Sequence, residues 1–224
     1  MFVVCASALI ITMYEYRNLT PEQRLELVKQ RLKLGYPAHS PPHLVQDDTL
    51  YLLTATCFNH AAIMQSPDRR NELLNHLYEQ FLLNEIEIHA WVVLPNHYHI
   101  LAHMAKFDLL SKAFGHIHGH TSHSWNIEDV CQGRKVWFRY TDRMIRSERH
   151  YYTTLNYIHY NPVKHGWIAS PYDWKASSLQ WYLEHKGREW LRDLWSAYPV
   201  RDYGRGWDDF VTDGSAKALT TNST

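Results

Sequence analysis

Neither sign of charge is in surplus in this 224-residue chain, where 23 Lys and Arg stand against 23 Asp and Glu. The whole-chain field of a basic nucleic-acid binder is therefore missing, and only a local basic stretch could supply a binding face. Cysteine is scarce too. Cys5, Cys57 and Cys131 are odd in number, far apart and outside any C-x-x-C spacing. That pattern excludes a disulfide framework and a cysteine zinc site, and it points to a reducing, cytoplasmic setting. Long apolar runs are also lacking. The apolar opening from Met1 to Thr12 has no basic residue ahead of it. It falls far short of the roughly 20 residues that span a bilayer, so it reads as a loose extension of a soluble protein. No internal repeat or low-complexity tract interrupts the chain.

Apolar and aromatic residues are plentiful: 45% of the chain is apolar, with nine Trp, fifteen Tyr and seven Phe. That is enough for one sizeable core with appendages. Thr20-Pro21-Glu22-Gln23 forms a capping box ahead of a helix over 19–34 with a Leu25, Val28 and Leu32 stripe. The Pro-rich stretch 37–42 then reads as a linker, which makes residues 1–46 an N-terminal helical arm. Thr49 to Phe58 predicts a strand buried on both faces, and Leu73 to Leu82 a helix. Strands at Ile86–Leu94 and His97–Met104 flank a Pro95-Asn96 turn, a His-rich helix spans about 109–125, and Val136–Tyr140 predicts a fourth strand. The order strand, helix, strand, strand, helix, strand predicts an α+β, ferredoxin-like antiparallel sheet with helices on one face. Residues 47–170 hold this pattern. Residues 171–224 form a Trp-rich C-terminal extension with helices at 177–185 and 189–196 and a mobile last dozen residues.

His97-Tyr98-His99 carries the first chemical signal. On a strand, alternate side chains share a face, so both imidazoles point one way and Tyr98 the other. Such a pair holds one metal ion or serves as structure. Downstream, Ser147 caps a helix carrying Tyr151, Leu155 and Ile158 as its apolar stripe, and Pro162 ends it. Tyr157 and Asn161, four apart, share a face beside that stripe. A phenol beside a divalent cation can attack phosphorus and store the bond as a phosphotyrosine, while two imidazoles and an amide oxygen leave coordination positions for phosphate oxygens. The alternative is plain packing for Tyr157 and a helix stop at Asn161. In the His-rich helix, His116, His120 and His123 share a face, but no carboxylate or cysteine there completes a metal site, so they read as surface or nucleic-acid-facing residues.

His97-Tyr98-His99 after Leu94-Pro95-Asn96, Tyr157-Ile-His-Tyr-Asn-Pro-Val-Lys-His-Gly166 and Asp173-Trp174-Lys-Ala-Ser-Ser178 together resemble the REP-associated tyrosine transposases, within the single-tyrosine HUH superfamily. The resemblance covers about 46–180 and implies the same fold, with the His-x-His strand central. It also implies His97, His99 and Asn161 as ligands of Mg²⁺ or Mn²⁺, and Tyr157 as the nucleophile. The implied activity is nicking and rejoining of single-stranded DNA beside hairpin, REP-like palindromes through a 5′-phosphotyrosine intermediate, in a bacterial cytoplasm and at the nucleoid. The alternative is a domesticated, catalytically idle hairpin binder, and monomer and homodimer both stay open. Arg134, Lys135, Arg139, Arg143 and Arg146, with Lys164, supply the local basic stretch, and Trp137, Phe138 and Tyr140 are candidate stacking platforms. Tyr160, Tyr151 and Tyr152 are rival nucleophiles. Tyr157 is preferred for its four-residue phase with Asn161, since Tyr160 points about 100° away. His103 shares the strand face but has no counterpart in the motif.

Overall fold

The computed structural model describes residues 19–33, 46–138 and 140–205. The chain divides into two compact units, Met1–Gln46 and Asp47–Thr224. The expectations for residues 1–18, the 37–42 linker, Arg139 and the C-terminal dozen lie outside the described residues. In the first unit, helix α1 (Pro21–Lys33) starts with the expected capping box. The Gln23 amide N–H donates to Thr20 Oγ1 (3.3 Å), and the Thr20 N–H donates to Gln23 Oε1 (2.9 Å). Leu25 of the expected apolar stripe is 57% exposed, and the side chains of Val28 and Leu32 are outside the described residues.

The second unit is built on four strands, β1 (Thr49–Thr56), β2 (Ile86–Val93), β3 (His97–Met104) and β4 (Thr141–Met144). Their order is β2-β3-β1-β4, and every neighbouring pair is antiparallel. This is the ferredoxin-like arrangement, with the His-x-His strand inside the sheet.

Strand parity divides the core into two layers. Tyr51, Leu53, Ala55, Tyr98, Ile100 and Ala102 lie under helices α2 (Pro67–Leu83) and α3 (Leu109–Glu128), against Leu73, Leu77, Phe81, Phe114 and Trp125. On the opposite face Leu52, Val92 and Leu101 meet Leu155, Tyr157 and Ile158 of α4 (Glu148–Lys164) and Leu179, Leu191 and Leu194 of α5 (Leu179–Ala197). β1 is thus buried on both faces, as its unbroken apolar run predicts. The Trp-rich tail belongs to the second layer: Trp174, Trp190 and Trp195 pack on it, and Trp174 Nε1–H donates to the Val93 carbonyl (3.0 Å). Residues 176–178 also cover the outer edge of β2, with the Val93 N–H on the Ala176 carbonyl (2.9 Å) and the Ser178 N–H on the Trp91 carbonyl (2.9 Å).

Two local expectations fail for physical reasons. The fourth strand is Thr141–Met144 and not Val136–Tyr140. The apolar run serves a different end: Val136 and Trp137 are core residues joined to the end of β1 by one bridge, Cys57 to Trp137, while the ladder itself uses a polar edge segment. Pro162 does not end its helix either, because α4 runs through it to Lys164. The proline removes one helical hydrogen bond, a loss outweighed by the packing of α4 on the sheet, and the stop falls at Gly166, whose φ of 70° suits a residue without a side chain. The expected pair of C-terminal helices does form, as the two halves of α5 on either side of a non-helical Gly187 (φ 85°).

Candidate active site

The Ser147 cap, whose Oγ accepts from the His150 N–H (3.1 Å), starts α4, and helical phase then lays Tyr157 and Asn161 against the His97 end of β3. His97 Nε2 lies 3.1 Å from Asn161 Oδ1, and His99 Nε2 lies 3.4 Å from the Tyr157 hydroxyl. The two imidazoles meet edge to face with centroids 5.0 Å apart, and the His99 and Tyr157 rings do so at 5.1 Å. All four side chains are buried, Tyr157 at 1% exposure. The four residues singled out from sequence are therefore brought together at one point.

Their surroundings include residues that the sequence reading did not single out for the site. His97 Nδ1 sits 2.8 Å from Asn96 Oδ1, and His99 Nδ1 sits 2.7 Å from Thr54 Oγ1. With an N–H on each Nδ1 donating to those oxygens, each Nε2 presents a lone pair to the centre, the tautomer a metal ligand needs. For His97 that lone pair faces an amide whose Nδ2 is buried without a hydrogen-bond partner. The amide can present its nitrogen to Nε2 as a donor, or its oxygen to a cation shared with Nε2. The donor set of two imidazoles and one amide oxygen thus fits a divalent ion. Lys164 Nζ lies 3.3 Å from the Tyr157 hydroxyl and donates to the Gly204 carbonyl (2.9 Å), and the His165 ring meets that of His97 at 4.9 Å. Gly204 packs so tightly that a Cβ there would stand 2.2 Å from Tyr157 Cε2. Asn96 and Thr54 had a sequence signal, since one precedes His97 and the other has the β1 parity of Leu52. Gly204 had none.

No family model matches the chain. A REP-associated tyrosine transposase of Escherichia coli (strain K12) is 32% identical over 159 residues, which span 66% of this chain and 84% of that protein. The chain belongs to the REP-associated tyrosine transposases. A solved structure of a REP-associated tyrosine transposase bound to a REP hairpin shares the fold, with a TM-score of 0.57 and 23% identity over 66% of this chain and 87% of the other. Membership gives the chain a transposase-like function, that of an enzyme with DNA-cleaving activity. Among the described residues no helix is long and apolar enough to cross a membrane.

Within this transposase the remaining residues named from sequence scatter. Lys135 Nζ lies over the rings of Phe58 (4.5 Å) and Phe138 (5.4 Å), at the His97 end of the sheet, where the Cys57 N–H donates to the Asn96 carbonyl (2.8 Å). Phe138 is 54% exposed while Trp137 is buried and Tyr140 packs on the core, so one of the three candidate platforms faces outward. Arg143 pairs with Leu52 in register and so shares the Tyr157 face, close enough with Arg146 to help burial hold His150 below its usual pKa. Arg134 is tied to Asp129 (2.7 Å) and Asn126 (3.0 Å) beside α3. Among the rival tyrosines, Tyr160 is 45% exposed, Tyr151 meets His89 (3.0 Å) and Tyr152 stacks near Tyr198 (4.9 Å). His103 pairs with Asp48 (3.0 Å).

Proposed function

We propose that this chain nicks and rejoins single-stranded DNA beside hairpin elements through Tyr157, with His97, His99 and Asn161 holding Mg²⁺ or Mn²⁺. The observation that carries the reading is the convergence of His97 Nε2 on Asn161 Oδ1 (3.1 Å) with that of His99 Nε2 on the Tyr157 hydroxyl (3.4 Å). It puts a phenol oxygen beside a donor set suited to a cation. When bound, the ion polarises the scissile phosphate and offsets the charge that builds on its oxygens.

The chain's own residues do the rest. Tyr157 Oη gives up its proton and attacks phosphorus. The bond from phosphorus to the 3′ oxygen breaks, that oxygen takes up a proton, and the 5′ phosphate stays esterified to the tyrosine. Rejoining reverses these changes with the 3′-hydroxyl as nucleophile, so no water and no nucleotide energy source is consumed. Lys164, 3.3 Å from the attacking oxygen, stabilises negative charge on it during attack and departure. Burial of Tyr157 keeps bulk water from the phosphotyrosine. Lys135 with Phe58 and Phe138 offers a cation and an exposed ring for a strand entering at the His97 end. The relative whose solved structure holds a REP hairpin supports hairpin DNA as the partner.

The test is covalent capture. The chain is incubated with Mn²⁺ and an oligonucleotide that carries a palindromic hairpin with single-stranded flanks, then denatured and resolved by size. An adduct with the native chain and none with Tyr157→Phe is expected. Cutting by both proteins would replace the tyrosine with water as nucleophile, and binding without cutting would make the chain an idle hairpin binder.

A further inference from the structure

On the sheet face opposite Tyr157, α2 and α3 bring together Glu72, His76 and His120. Their carboxylate oxygens and ring nitrogens lie within 4.8 Å of one another, the one such grouping among the described residues. Glu72 and His76 are one turn apart on α2, so they share a face, and His120 reaches them from α3. The carboxylate that α3 lacks within one turn of His120 is thus supplied by its neighbour.

Three observations mark this as a ligand set and not a chance meeting of side chains. Trp125 Nε1–H donates to Glu72 Oε2 (2.7 Å), fixing the carboxylate and leaving its other oxygen for a second partner. The His76 and His120 rings approach to 4.1 Å between centroids. Glu79 Oε2 stands 3.7 Å from His76 Nδ1, adding negative charge beside the cluster, while the nearby Arg69 is occupied by Glu128 (2.8 Å) and Asp129 (2.6 Å).

We propose that Glu72, His76 and His120 bind a Zn²⁺-class transition-metal ion that staples α2 to α3. Two imidazoles and one carboxylate match this ion's preference, with water completing a tetrahedron. Ligand atoms around zinc stand about 3.4 Å apart at bond lengths of roughly 2.1 Å. Rotation of the exposed His120 ring closes the gap from 4.8 Å. The ion acts on the packing of the two helices and takes no part in chemistry at Tyr157, from which the sheet separates it.

The test uses the untagged full chain carrying His97→Ala and His99→Ala, so that zinc at the Tyr157 centre does not contribute, whatever that centre does. Calorimetric titration with Zn²⁺ after chelator treatment should show one ion per chain and a rise in the thermal unfolding midpoint. Adding His120→Ala, a change at an exposed position, should abolish both effects. Glu72→Gln, which keeps the Trp125 hydrogen bond, should weaken binding at least about tenfold. Equal zinc uptake with and without His120, or binding indifferent to Glu72→Gln, overturns the proposal.

Discussion

Replacing Thr54 by Val removes one hydroxyl and keeps a β-branched side chain suited to a strand. The lost group is the 2.7 Å partner of His99 Nδ1. In a metal-loaded site Nε2 binds the ion, so Nδ1 carries the hydrogen, and without Thr54 that N–H is left unsatisfied in a partly buried place. An unsatisfied buried donor costs about 1–3 kcal/mol. At about 1.4 kcal/mol per tenfold in affinity this amounts to roughly 10- to 100-fold, the range typical for lost outer-shell partners of a ligating histidine. Without metal, the imidazole escapes the penalty by moving its hydrogen to Nε2, which faces the Tyr157 hydroxyl at 3.4 Å. The unfolding midpoint should therefore change little while Mn²⁺ affinity falls by one to two orders of magnitude. Mn²⁺ titration of the purified variant, with cleavage of a hairpin oligonucleotide followed against free Mn²⁺, measures the split, and activity should return at high metal. A folded Thr54→Val protein with native Mn²⁺ affinity would falsify the assignment of His99 Nε2 as a ligand.

Tyr98→Phe should behave in the opposite way. It strips a largely enclosed His118 of its 2.7 Å partner and should cost about 1–3 kcal/mol in chemical denaturation, with Mn²⁺ affinity unchanged. Burial pushes His118 down to about 4 and His159 down to about 3, so below pH 6.5 the unfolded chain binds protons that the folded one refuses. Stability should then fall as pH drops from about 6.5 towards 4, by up to about 2.7 kcal/mol per pH unit for the two groups, with half that slope in His118→Gln; a flat denaturation profile between pH 7 and 5 would contradict the burial of both. Gly204→Ala places a methyl group 2.2 Å from Tyr157 Cε2 at a φ of 76°, so the 203–205 segment must shift. Faster amide exchange there, with α4 still protected, is the expected result, and native exchange rates would count against the close approach.

The elements that sequence made legible share a strong local signal. The capping box at Thr20 and Gln23, the Ser147 cap, the apolar β1 run and the Pro95-Asn96 turn each depend on neighbours in the chain, and each forms. Of the candidate site, local signal gave only two pairs, since period two places His97 with His99 and period 3.6 places Tyr157 with Asn161; that the two pairs belong together came from the resemblance to the REP-associated tyrosine transposases. β4 was missed because an edge strand need not be apolar, and Thr141-Asp-Arg-Met144 is placed by the ladder with β1 alone. Pro162 was misread because a rule about local backbone was outweighed by packing of α4 on the sheet. The Glu72, His76 and His120 cluster and the seat of Gly204 on Tyr157 were invisible for another reason. Both join segments far apart in sequence, and no periodicity in either segment announces the other.

The residue between the two histidines ties these observations together. Tyr98 turns away from the Tyr157 centre, yet it decides where His97 and His99 stand. Its ring is enclosed by Phe114, His118 and Trp137 at 6.4, 6.0 and 5.6 Å, and its hydroxyl is bound to His118. A slip of β3 by one residue would push this large ring to the other face and take both imidazoles out of reach of Asn161, at the cost of every contact Tyr98 makes. The packing of α3 on one side of the sheet therefore holds the register of the site on the other. A bulky apolar residue between the histidines meets this need through its size. In this chain the phenol adds a directional bond, so the position resists sliding as well as tilting. The His-rich helix thus takes part in the Tyr157 centre through structure alone: His118 anchors the strand, while His120, two residues on and about 200° around the helix, lies beside Glu72 and His76.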